Sequence, residues 1–160
     1  MKTIRILLPL TIAAAALALP LSTGAMAEET TTSTKTPTMH VVKSPTCGCC
    51  TAWANLARDE GFEVTIEHQD DYEKMKADAG VPSDMQSCHT ATVAGYVVEG
   101  HVPFAAVRKL LSERPDIKGI AVPGMPAGSP GMGDDPKAVF DVMAFGGKAG
   151  EQSLYYKAGR

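Results

Sequence analysis

Three cysteines fall within four residues, Cys47-Gly48-Cys49-Cys50, and a fourth, Cys88, is followed by His89. Thiolates are the nucleophiles of disulfide exchange and the ligands of soft metal ions. Cys47 and Cys50 have the C-x-x-C spacing of a thioredoxin-like redox pair. Cys49 is foreign to that arrangement, because a third thiol beside a redox pair invites scrambled disulfides. Adjacent thiolates do suit a multinuclear soft-metal site, where one sulfur bridges two ions. Cys88 adds a fourth thiolate and His89 an imidazole, and Met125 and Met132 offer thioethers from a distant loop. Thiolate with thioether selects Cu(I) over harder ions. Copper handling is therefore the favoured reading, and three others stay open. One is a thiol–disulfide oxidoreductase in which Cys47 attacks and Cys50 resolves. Another is a Cys3His zinc site made of Cys47, Cys50, Cys88 and His89. The last is a pair of structural disulfides, although three cysteines in one turn make poor staple geometry.

The elements that position these groups can be read from the pattern. Met39–Lys43 is a short β-branched run suited to a first strand, and Ser44-Pro45-Thr46 turns the chain into the cysteines. A helix follows, with Cys49, Ala52, Trp53, Leu56 and Ala57 as its apolar face and Gly61 as its stop. The helix N-terminus carries partial positive charge and free N–H groups, which stabilise thiolates placed there. Residues 62–67 alternate as a half-buried strand. Asp70 opens a second helix that carries Tyr72, Met75 and Ala79 and ends at Gly80 and Pro82. Residues 85–90 read as a loop that presents Cys88 and His89, and 91–98 as a third strand. Pro103 opens a third helix, whose buried stripe is Phe104, Val107, Leu110 and Leu111. From Gly119 to Pro136, five glycines and four prolines in 18 positions predict a long loop without regular structure. Residues 139–145 and 153–156 read as a closing strand and its hairpin partner. The β-α-β-α-β-α-β order predicts an α/β domain, with helices packed on a small mixed sheet. Trp53, Met75 and Met143 are expected in the core. His40, His68 and His101 are expected as surface or hydrogen-bonded histidines. Glu67, Asp70 and Asp71 are expected as a solvated patch.

The chain has 160 residues and a formal net charge of −3, with 44% hydrophobic and 21% charged residues. That is the profile of one globular domain. No clustered basic face is visible, which argues against nucleic acid as a partner. Residues 1–27 have the layout of a secretory signal peptide: Lys2 and Arg5, an apolar run from Ile6 to Leu21, then Ala25-Met26-Ala27. Residues 28–38 are polar and Thr-rich and read as a flexible tether, leaving residues 39–160 as the domain. The expected product is exported to the periplasm and free of the membrane once the signal is cleaved. In that oxidising compartment thiols pair unless a metal or a reductase protects them.

Four stretches together resemble the CopG-like family of exported bacterial copper-resistance proteins. They are Cys47-Gly48-Cys49-Cys50, Ser87-Cys88-His89-Thr90, residues 95–103 (Gly-Tyr-Val-Val-Glu-Gly-His-Val-Pro) and residues 119–126 (Gly-Ile-Ala-Val-Pro-Gly-Met-Pro). The resemblance covers most of residues 39–160. It implies a thioredoxin-like fold and a cysteine-bridged cluster of Cu(I) ions. It also implies conversion of copper between Cu(I) and Cu(II), alongside other periplasmic copper-resistance or efflux proteins. Carried over onto matching positions, the ligands are Cys47, Cys49, Cys50 and Cys88, with His89 and Met125 as further candidates.

Overall fold

The computed structural model describes residues 36–159. The expected signal segment and residues 28–35 of the tether lie outside the described residues. The described chain runs through β1 (Thr38–Lys43), α1 (Gly48–Asp59), β2 (Glu63–His68), α2 (Tyr72–Asp78), β3 (His89–Val93), β4 (Tyr96–Glu99), α3 (Phe104–Glu113), β5 (Gly119–Ala121), β6 (Phe140–Phe145) and β7 (Ser153–Ala158). Short 3-10 turns sit at Ser83–Met85 and Gly147–Ala149. The strands form one mixed sheet in the order β2-β1-β3-β4-β5-β6-β7. β1 pairs with β2 in parallel across α1, and β4 pairs with β5 in parallel across α3. The other neighbours are antiparallel. The α/β class and the mixed sheet are as the sequence indicates.

Alternation along the strands sorts the core into two layers. Met39, Val41, Ala91, Val98 and Ile120 pack with Trp53 and Ala57 of α1 and with Phe104, Val107 and Leu110 of α3. Val97, Ala121 and Phe145 face the other way, against Val81 and Met85. Trp53 lies at the centre of the first layer, where its indole Nε1–H donates to the Val102 carbonyl at 3.0 Å. That anchor sets the roll of α1. The buried face is Cys50, Trp53, Ala54 and Ala57, one position on from the expected face. Leu56 is consequently exposed and Cys49 only half-buried.

Three local expectations are corrected. The expected third strand over 91–98 is a hairpin of β3 and β4, turned at Ala94 and Gly95. Both turn residues have positive φ, 49° and 89°, the signature of a tight two-residue hairpin turn. The Ala-Gly pair lacks the Asn or Asp that usually announces such a turn. His89 belongs to β3 rather than to a loop. Inside the glycine- and proline-rich stretch, Gly119-Ile120-Ala121 forms the fully buried β5 between β4 and β6. Tertiary pairing there overrides poor local strand propensity.

Candidate metal centre

β1 ends at Lys43, and a tight turn closed by the Cys47 N–H to the Ser44 carbonyl (3.2 Å) delivers Cys47 to the N-cap of α1. Its sulfur accepts the N–H of Cys50 at 3.3 Å, so a sulfur replaces the usual capping oxygen. Cys47 and Cys50 are joined as a disulfide, and Cys49 and Cys88 carry free thiols. The Cys49 sulfur lies 3.4 Å from that of Cys47. Cys88 enters from the far side, just before β3, with its carbonyl 3.5 Å from the Cys50 sulfur. The four sulfurs all lie within 4.8 Å of one another.

A second set of donors shares Cys88. Its sulfur is 2.9 Å from Nε2 of His101 and 3.6 Å from Nδ1 of His89, and these three groups also fall within 4.8 Å. The tautomer of His101 follows from its other contact. Nδ1 lies 2.7 Å from the Pro130 carbonyl, which only accepts, so Nδ1 carries the proton and donates it. Nε2 then presents a bare lone pair to Cys88, the arrangement in which a carbonyl orients a metal-ligating imidazole. His89 is wedged between rings, 4.7 Å from the Trp53 centroid and 5.0 Å from that of His101. Its Nε2 is buried without a hydrogen-bond partner.

Burial pushes the His89 imidazole down to about 3, and the charges of His101, Lys76 and Lys43 add to the effect. His101 is also lowered by burial, against the opposing bond to Pro130. Both rings are therefore held neutral, the form that ligates metals. The Cys88 thiol is pushed up to about 11, first by burial and then by the charge of Cys49. The metal-free centre thus resists gathering negative charge, and an arriving soft cation would displace the thiol proton. Positive charge is already at hand. Lys43, almost fully buried and opposite His89 in the β1–β3 register, donates to the Ser44 carbonyl at 2.7 Å. The N-terminus of α1 supplies the rest.

The glycine- and proline-rich loop wraps this centre. Ser87 Oγ–H donates to the Gly124 carbonyl, Pro130 holds His101, and Gly131 lies directly on the backbone of Cys49 and Trp53. Met132 is half-buried next to that contact, whereas Met125 is 54% exposed. An open cavity of about 310 Å³ beside the cluster is lined by Ser44, Cys47, Lys76, Gln86, Ser87 and Cys88.

Of the residues expected from the sequence, the four cysteines and His89 are brought together. His101, expected as a surface or hydrogen-bonded histidine, is buried, bonded to the Pro130 carbonyl, and faces Cys88. Its sequence signals are a Gly-His step after a strand end and its place inside the family-like stretch 95–103. Lys43, Lys76 and Glu99 carried no signal, since each reads alone as an ordinary surface charge.

The fold and the site define a class: a mixed-sheet α/β domain that gathers soft donors where a strand meets a helix. Two solved structures have this architecture. One, "Copper resistance protein copG- Form 2", is 40% identical, covers 77% of this chain and 98% of its own, and superposes with a TM-score of 0.71. The other, "Copper resistance protein copG- Form 1", is 39% identical over the same shares, with a TM-score of 0.70. Residues 85–132 match the family described as "Protein of unknown function, DUF411". No curated protein matches the sequence. The chain belongs to the CopG family of copper resistance proteins.

Proposed function

We propose that the protein binds copper in bacterial copper resistance, in the periplasm after export, holding Cu(I) ions between its cysteines and interconverting Cu(I) and Cu(II). The observation that carries this reading is the convergence of four sulfurs and two imidazoles around Cys88. The donor chemistry fits copper. The neutral rings, the lone pair of His101 Nε2 and the unpartnered Nε2 of His89 are nitrogen donors of the kind copper takes. Copper is here cargo and substrate rather than a resident group.

Cys47, Cys49, Cys50 and Cys88 would hold Cu(I), which prefers thiolates, with bridging sulfurs accommodating more than one ion. His89 and His101 approach the same Cys88 sulfur and would favour Cu(II). Met125 lies exposed on the wrapping loop, and its thioether would be a further soft ligand. Four thiolates are available only when the Cys47–Cys50 disulfide is reduced. Opening that bond takes two electrons from an external thiol reductant, which leaves as its own disulfide, so reduction precedes loading with Cu(I).

The disulfide also supports a second reading, a thiol–disulfide oxidoreductase. Cys50 is fully buried while Cys47 lines the open cavity, so an external thiolate would attack Cys47 and expel Cys50. One experiment separates the two. The domain is reduced, loaded with copper or zinc without oxygen, and its metal content is measured by mass spectrometry. More than one copper per chain, lost in Cys49→Ser, is the expected result. Absence of retained copper, with disulfide exchange surviving Cys49→Ser, would overturn it in favour of the second reading.

A further inference from the structure

Beneath Cys88, on the face of the sheet opposite Trp53, lies a buried ionic hub that neither reading uses. Glu99 is fully buried, and Lys76 from α2 and Thr90 nearly so. Lys76 Nζ donates to Glu99 Oε1 at 2.6 Å and to Thr90 Oγ1 at 3.0 Å. Thr90 donates to Glu99 Oε2 at 2.5 Å. A further bond leaves the hub: Glu99 Oε1 also accepts the backbone N–H of Ser87 at 2.7 Å. Ser87 directly precedes Cys88.

A buried ion pair is a weak stabiliser, because desolvation offsets most of its attraction and an apolar pair of similar size often does as well. An apolar pair could not, however, accept the N–H of Ser87. A bond to an ionised acceptor is stronger and more directional than a neutral one. The segment before Cys88 belongs to no strand or helix, so its backbone needs such an outside partner. On the opposite side Ser87 is held by Gly124 and Gln86 by the Gly124 N–H at 3.4 Å. Cys88 therefore hangs between a fixed carboxylate and the wrapping loop.

We propose that Glu99, set by Lys76 and Thr90, is a positioning residue for Cys88. It fixes the Cys88 sulfur at the point shared by the cysteine group and the histidine group. The inference deepens the copper reading, but its first readout needs no metal, so either can fail without the other. That readout is the alkylation rate of Cys88 in reduced, metal-free protein, mapped by peptide mass and compared with Cys49. The second is the sulfur-to-copper absorption of loaded protein.

The double variant Lys76→Met/Glu99→Leu replaces the hub with apolar groups. It should fold, alkylate at Cys88 about tenfold faster than the wild type and shift the absorption bands. Glu99→Gln keeps an oxygen for Ser87 and should restore most of the protection. Should the double variant not fold, Ser87→Pro deletes the N–H and leaves the ion pair in place. It should expose Cys88 in the same way, and more than Ser87→Ala, which removes only the hydroxyl bond to Gly124. A Cys88 rate within about twofold of wild type in the folded double variant, or in Ser87→Pro, would overturn the proposal.

Discussion

Replacing Gly131 with alanine should loosen the whole centre, and Gly133 supplies the internal control. Both glycines have left-handed backbone, with φ of 86° and 84°. An alanine at either position suffers the same intrinsic strain, about 1–2 kcal/mol. The surroundings differ. A Cβ on Gly133 meets nothing within 4 Å, whereas one on Gly131 would sit 2.9 Å from both the Cys49 carbonyl oxygen and the Trp53 nitrogen. Those atoms are backbone of the first turns of α1 and cannot swing aside as a side-chain tip would. Overpacking of this kind costs a further ~1–3 kcal/mol. Gly131→Ala should therefore destabilise the domain by about 2–5 kcal/mol and Gly133→Ala by about 1–2 kcal/mol. Urea unfolding of the metal-free protein measures both. A second effect is specific to the site. Pushing Gly131 off α1 drags Pro130 with it, and Pro130 holds His101 at 2.7 Å. Gly131→Ala should then lose more copper at equal protein concentration than Gly133→Ala, read by competition with a chelator. Equal destabilisation by the two alanines would refute the packing of this loop onto the cysteine helix.

Other expectations follow from the same geometry. Removing His101 as His101→Ala should cost about 2–4 kcal/mol, from two lost hydrogen bonds and the cavity left by a buried ring, and should alter copper spectra more than His40→Ala, which changes a surface site. Metal-free protein should lose stability in acid. His89 is depressed to about 3 in the fold against 6.5 for the free side chain, so the unfolded chain binds the extra proton between those values. That stability is complete above about pH 6.5 and is lost as pH falls through about 3. His89→Gln should flatten the acid limb in a pH series of urea midpoints; an unchanged limb would mean that other groups set it. Ala94→Asn should raise the melting temperature, by relieving left-handed strain at the β3–β4 turn worth about 0.5–1 kcal/mol, and a lowered one would count against that turn geometry.

How legible all this was depends on which forces decide each element. α1 and α3 announce themselves through apolar spacing, a Gly stop and a leading proline, and both lie where the pattern puts them. β5 did not, because its three residues are made a strand by burial between β4 and β6. The hairpin at Ala94-Gly95 was hidden for a related reason. Its turn residues lie between two β-branched runs that read equally well as one strand. The cysteine cluster was legible because its residue types are rare and their spacing is local. His101 and Glu99 were not, since their roles depend on partners 13 and 12 residues away, across β3 and β4. A one-dimensional pattern carries local chemistry and loses the chemistry that a sheet assembles.

Cys88 ties these observations together. It is the one sulfur in both donor groups: with Cys47, Cys49 and Cys50 on one side, and with His89 and His101 on the other. Thiolates favour Cu(I), while imidazoles tolerate the harder Cu(II). An ion that changes oxidation state next to Cys88 could therefore exchange partners without leaving the centre. Such an exchange needs Cys88 fixed while its neighbours change state, and the neighbours do change, because Cys47 and Cys50 can close as a disulfide. The fold meets that requirement unequally. The disulfide-forming pair sits at the N-terminus of α1. Cys88 is tethered through backbone, by Glu99 beneath Ser87 and by the Gly124 contacts of the preceding residues. The rigid and the convertible halves of the ligand set thus come from different parts of the chain.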